Sequence, residues 1–175
     1  MKSARQLSVA LLVAVAAFTI SCSDRAAPTA PVAPPQADLI GGLLQATGLL
    51  KCSQLPYDST TAVIGPSGGY LTVGPHTLVV PYGALSAPTT ITATLPQGQG
   101  VNAVRFQPEG LQFARPAYLT MSYANCNLLG RLLPKRIAYT TDLLQILDYL
   151  ISFDNIFTKR VTGQVHHFSE YAVSW

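Results

Sequence analysis

The chain has 175 residues, of which 49% are hydrophobic and only 11% charged, with 11 Lys+Arg against 8 Asp+Glu. Disorder needs low hydrophobicity and high net charge, and nucleic-acid binding needs a dense basic face, so this balance excludes both. Thirteen Gly and thirteen Pro stay below a low-complexity level, and the length allows one domain with extensions.

Met1–Gln6 carries Lys2 and Arg5 and no acid, and Leu7–Ile20 is a nearly unbroken apolar run of 14 residues. A helix needs about 20 residues to cross a bilayer, so residues 1–21 read as a secretory signal peptide. The run ends in Thr19-Ile20-Ser21-Cys22. A small residue before a Cys, directly after the apolar segment, resembles the lipobox of bacterial lipoproteins. That resemblance implies cleavage before Cys22, a diacylglycerol on its thiol and a further acyl chain on its amine. Two or three chains anchor a protein stably where one does not. The partner is then a membrane, held through lipid on Cys22, and the location is the bacterial cell envelope. Ser23 in place of Asp favours the outer membrane in a Gram-negative cell. The alternative is a plain signal peptide cut near Ser21 or Ala26. Loss of Lys2 and Arg5 leaves nine basic and eight acidic residues, so the mature chain invites no polyanionic partner.

Residues 22–37 form a lipidated Cys and a Pro/Ala-rich tether, with Pro28, Pro31, Pro34 and Pro35 favouring polyproline II. Asp38–Leu50 places Leu39, Ile40, Leu43, Leu44, Ala46, Leu49 and Leu50 on one helical face, interrupted by Gly41, Gly42 and Gly48. A short, weak helix is expected there, packed on the domain that follows. A partner- or membrane-surface helix is the alternative, but it lacks the usual polar face.

From Cys52 the apolar period becomes two. Strands are expected at Thr61–Ile64, Gly69–Val73, His76–Val80, Thr89–Leu95, Val104–Gln107, Tyr118–Tyr123, Ile137–Thr141, Gln145–Leu150, Asn155–Val161, Gln164–Phe168 and Tyr171–Trp175. Turn sequences such as Gly65-Pro66-Ser67-Gly68-Gly69, Gly74-Pro75 and Pro108-Glu109-Gly110 separate them. Asn125–Arg136 reads as a loop or helical turn. The expected fold is all-β: an antiparallel β-sandwich over residues 51–175, preceded by the signal peptide, the tether and the short helix.

Ile64–Leu85 (IGPSGGYLTVGPHTLVVPYGAL), Phe106–Phe113 (FQPEGLQF), Pro116–Met121 (PAYLTM) and His167-Phe168-Ser169 follow one another in an order that resembles the ZU-five domain. That β-sandwich occurs in zona-occludens proteins, netrin receptors, ankyrins and PIDD, and the resemblance covers about Thr61 to Trp175. The animal proteins' cytoskeletal and death-signalling roles do not transfer to a chain that begins with a lipid-anchor signal.

Cys52 and Cys126 remain once Cys22 is lipidated, an even pair in an oxidising compartment, and a disulfide is expected. Two buried free thiols are the alternative. In some ZU-five relatives His-Phe-Ser is an autoproteolysis site. The resemblance would make Ser169 Oγ the nucleophile on the Phe168 carbonyl and His167 its base. The strand parity at Val165 and Tyr171 places Phe168 on the wrong face, so a β-bulge near His167–Phe168 is expected to turn it into the core. The same bulge serves equally as a purely structural feature.

His76, His166 and His167 lack metal-site spacing, and no metal or other cofactor is expected. Glu109 with Asp58 is a weak acid/base pair. Lys135-Arg136 and Lys159-Arg160 read as solvated faces. The eight tyrosines suit either a core or a binding surface. The expected function is non-enzymatic: a structural or interaction module at the cell envelope with an unidentified protein or envelope partner. The alternatives are a self-cleaving domain and a small-ligand binder or hydrolase in the loops.

Overall fold

The computed structural model describes residues 48–128 and 133–175. Cys22, the signal peptide, the tether and residues 38–47 of the expected helix lie outside them. Eleven strands run β1 (Ser59–Ile64), β2 (Gly69–Val73), β3 (His76–Val80), β4 (Thr89–Thr94), β5 (Ala103–Gln107), β6 (Gln112–Ser122), β7 (Arg136–Thr140), β8 (Ile146–Tyr149), β9 (Ser152–Asn155), β10 (Arg160–His167) and β11 (Glu170–Ser174). They form two antiparallel sheets, one ordered β1-β4-β5-β11-β7-β8 and the other β2-β3-β6-β10-β9. The fold is an all-β sandwich.

Alternation explains the core. In β3 the residues His76, Leu78 and Val80 are buried while Val79 is exposed. In β10 the residues Val161, Gly163 and Val165 point inward. Consecutive strands close both sides of the sandwich: β1 leads into β2 on one side and β8 into β9 on the other, each pair being the edges of its two sheets.

Four details differ from the sequence reading. The segment 48–50 is a turn followed by extended chain, not the end of a helix. The Leu50 N–H donates to Val173 O at 3.0 Å and the Trp175 N–H to Gly48 O, so the backbone here pairs with β11 and its continuation rather than with itself. Leu49 and Leu50 are fully buried, which carries the domain back past residue 51. Strand β6 begins at Gln112, and Pro116 lies inside it. The ladder to β10 is interrupted between the pairs Val165↔Ala117 and His167↔Gln112, so Pro116 removes no ladder bond there.

Within the expected strand Asn155–Val161, residues 156–159 are instead a turn, with Asn155 ending β9 and Arg160 and Val161 starting β10. Asn155 Oδ1 accepts the N–H groups of Phe157 and Thr158, which bends the chain. Strand β10 then runs unbroken through Gly163. A Cβ at Gly163 would lie 3.1–3.2 Å from the side chains of Leu150 and Ile137, so the glycine is where those two side chains fit. Finally, Lys135 is buried rather than solvated, its Nζ donating to Leu133 O.

A second, smaller core lies on the outer face of the six-stranded sheet. Ala103, Ala172 and Ala138 are neighbours across β5, β11 and β7 and form a flat floor. Leu49, Val101, Leu144 and Ile146 pack on it. Strand β11 is therefore buried on both faces, Tyr171 and Val173 in the main core and Ala172 in the smaller one.

Cys52 and Cys126 are directly opposed in an antiparallel bridge and form a disulfide that closes a loop of 74 residues. By the chain-entropy account such a loop stabilises the fold by roughly 4–4.5 kcal/mol. The double variant Cys52→Ala/Cys126→Ala is expected to lose about 4 kcal/mol of unfolding free energy in urea. A loss under about 1 kcal/mol would show that the denatured chain is not the random coil this account assumes.

Candidate functional site

Between β10 and β11 the chain passes from one sheet to the other using only Phe168 and Ser169. A register shift between Val165 and His167 precedes this corner, where the sequence parity places a bulge. Phe168 is turned fully into the core. Its ring stacks on Phe106 of β5 at 4.8 Å and meets Phe113 of β6 edge-on at 5.0 Å, so one side chain touches both sheets.

Hydrogen bonds from neighbouring segments hold most of the corner's backbone. The Phe168 N–H donates to Leu111 O at 2.9 Å, the Gly110 N–H donates to Phe168 O at 2.9 Å, and the Phe106 N–H donates to Ser169 O at 3.1 Å. The Tyr171 hydroxyl donates to His167 O. Burial pushes the Tyr171 hydroxyl well above the usual phenol range, so it stays a donor. The His167 ring lies edge-on to Tyr139 at 4.9 Å. Ser169 Oγ makes no hydrogen bond among the described residues. Ser169 lines a cleft of about 300 Å³ together with Glu109, Tyr139, Thr140, Asp142 and Leu147 among others.

Beside the cleft, Arg105 Nε and Nη2 both donate to Glu170 Oε2, at 2.9 and 2.6 Å, and Nη2 lies 3.3 Å from Asp142 Oδ1. The Glu170 side chain is 1% exposed while Arg105 is 38% exposed. Burial raises the Glu170 carboxyl above its usual range even though Arg105 pulls the other way. The hydrogen bond to Glu170 raises Arg105 in turn.

Glu109 and Asp58 do not meet. Glu109 lines the cleft, while Asp58 Oδ2 accepts the Gly74 N–H at 2.6 Å at the other end of the sandwich. The three histidines are also apart: His166 is exposed, His167 packs on Tyr139, and His76 is buried at the start of β3. Among the described residues no three His, Cys, Asp or Glu side chains gather as a metal site.

The outer face of the five-stranded sheet carries a cross-strand row. Tyr70 of β2 pairs with Val79 of β3, and Val79 with Tyr118 of β6. They are 73%, 44% and 41% exposed. The next row holds Thr72, Thr77, Thr120 and Thr162 in register, with Thr120 and Thr162 sharing a hydroxyl bond of 2.8 Å. The sequence could not assign these tyrosines, because their exposure follows only once strand parity and sheet order are known.

Comparison with known protein families found no family model that matches this chain, and comparison with curated proteins found no match.

Two buried polar groups generate testable expectations, one of them a pH dependence. His76 Nδ1 accepts the Ser122 N–H at 3.1 Å, which leaves the ring proton on Nε2, a buried atom with no hydrogen-bond partner among the described residues. Burial, helped by the charge of Arg160, lowers its pKa from 6.5 to about 4. The unfolded chain therefore binds a proton between these values that the folded chain refuses. Stability is expected to fall by about 3 kcal/mol from pH 7 to pH 4 through this group. In His76→Gln that part of the urea midpoint's pH slope is expected to vanish, and an unchanged slope would reject the assignment. For the ion pair, Arg105→Ala strands a buried carboxylate and is expected to cost about 2–3 kcal/mol at pH 7, less than a fully buried pair because Arg105 is half-exposed. Glu170→Gln leaves a solvated cation and is expected to cost less than about 1 kcal/mol. Equal losses in denaturant melts would contradict this asymmetry.

Proposed function

We propose that this is a lipid-anchored protein of the bacterial cell envelope whose sandwich is a non-enzymatic interaction module. The observation that carries the reading is the Tyr70–Val79–Tyr118 row. It is aromatic, exposed and mounted on a rigid sheet. Tyrosine offers a large contact area at a low cost in side-chain entropy, which is why it anchors protein interfaces. The basic start, the apolar run Leu7–Ile20 and Ser21-Cys22 support the lipid anchor. Ser23 favours the outer membrane in a Gram-negative cell. An all-β sandwich is also the fold that the ZU-five resemblance implies.

A photo-crosslinking amino acid placed at Tyr118 or Tyr70 in cells is expected to capture a discrete protein partner, and Val79→Lys is expected to abolish capture. The same group at Thr92, on the opposite sheet, serves as the control. Equal labelling from Thr92, or none from Tyr118 and Tyr70, would reject the face. Acyl mass on Cys22, lost in Cys22→Ala, tests the anchor separately.

The self-cleaving reading has one observation in its favour. Gly110 already donates to the Phe168 carbonyl, where an oxyanion would form, and the neighbouring Ser169 hydroxyl is unbonded. Ser169 Oγ would add to the Phe168 carbonyl carbon while His167 takes its proton and returns it to the departing Ser169 nitrogen. That shift frees the Ser169 amine, and water would then split the ester into a Phe168 carboxylate and the Ser169 hydroxyl. The denatured intact mass is expected to be that of one uncut chain less two hydrogens. A fragment ending at Phe168, absent in Ser169→Ala, would decide for cleavage instead.

A further inference from the structure

The turn between β9 and β10 projects Ile156 and Phe157 into solvent at 63% and 93% exposure. Its shape is fixed. Asn155 Oδ1 accepts the N–H of Phe157 at 3.2 Å and of Thr158 at 3.1 Å, and Lys159 closes the turn at φ 51°. A side chain presented this way loses little freedom when it docks. Beyond Thr158, Lys159 and Arg160 are both exposed cations. The nearest acid in sequence is turned inward: Asp154 Oδ1 accepts the Tyr123 hydroxyl at 2.7 Å and Oδ2 accepts the Lys135 N–H at 2.8 Å. That second bond brings Leu133, 56% exposed, to the same end of the sandwich. The end is also where the chain enters the domain. The Tyr123 N–H donates to Lys159 O at 2.9 Å, and the Asn127 N–H donates to Lys51 O at 2.8 Å.

We propose that Ile156 and Phe157 dip into the interface of an anionic phospholipid bilayer, with Lys159 and Arg160 on the headgroup phosphates. An apolar wedge backed by cations, with the neighbouring Asp154 turned inward, matches the layering of such an interface: phosphates outside, hydrocarbon within. The site lies apart from the tyrosine row and does not require acylation of Cys22, so it goes beyond the interaction-module reading and stands or falls separately.

The test uses residues 22–175 carrying Cys22→Ala, exported behind a cleavable leader so that the disulfide forms and no lipid is attached. Co-sedimentation with phosphatidylglycerol-rich vesicles is expected to exceed that with phosphatidylcholine and to weaken with salt. Ile156→Ser/Phe157→Ser is expected to bind about tenfold more weakly. Lys159→Gln and Arg160→Gln are each expected to cost about fivefold, on anionic vesicles only. Phe157→Trp is expected to add an emission that shifts to the blue on anionic vesicles, a readout that does not depend on the serine variants folding. The proposal is overturned if the parent chain does not sediment with anionic vesicles. It is overturned equally if the serine variant binds as well as the parent, if the Phe157→Trp emission does not shift, or if the tip mediates self-association in place of vesicle binding.

Discussion

The architecture depends on one side chain at one corner. A sandwich must pass its chain between sheets, and each passage interrupts two ladders and exposes backbone groups that the core cannot leave unpaired. At His167-Phe168-Ser169 the passage takes two residues, and it succeeds because the Phe106–Leu111 segment lies alongside and supplies the missing donors and acceptor. Phe168 fills the space that opens between the sheets there, touching Phe106 on one and Phe113 on the other. Without that contact β11 would have no fixed start, and the strands on both sides of it, β5 and β7, would lose their common partner.

Much of this was legible in the sequence, for identifiable reasons. The strands from Gly69 to Val80 alternate cleanly and are bounded by glycine and proline turns, and they stand where the pattern puts them. The bulge near His167 was legible from a conflict of parity, and the disulfide from a cysteine count. What the pattern missed has physical causes. Strands β8 and β9 are edges with mostly half-buried or exposed residues, so their alternation is weak and Asn155 was read as a strand start rather than a turn former. Gly163 and Pro116 look like strand breakers in isolation. One is tolerated because neighbouring side chains use its empty space, the other because it falls where the ladder is already open. Glu170 gave no signal at all: an acid on an outward position is ordinarily solvated, and only its partners make it buried.

The two sheets handle polarity differently. Both pair hydroxyls across strands, but the outer face of the five-stranded sheet is uncovered among the described residues. The six-stranded sheet covers part of its outer face with the Gly48–Lys51 segment and with Leu144 and Ile146, and there a carboxylate becomes buried and needs Arg105. Among the described residues nothing covers the first face, whereas the second holds the Gly48–Lys51 segment and strand β11 together.

That entry has a mechanical meaning. Any pull that reaches the domain through residue 48 meets first the backbone bonds Trp175 N–H to Gly48 O and Leu50 N–H to Val173 O. These can peel. The pull then arrives at Cys52, where a covalent bond carries it across to Cys126. For a pull between residue 48 and the strands after Cys126, the intervening strands β1 to β6 sit in a closed loop that tension bypasses, so the sheet bearing Tyr70, Val79 and Tyr118 keeps most of its strands out of that line of force. The domain is built as a buckle: its first few residues yield and absorb extension, while the face behind the clasp stays folded.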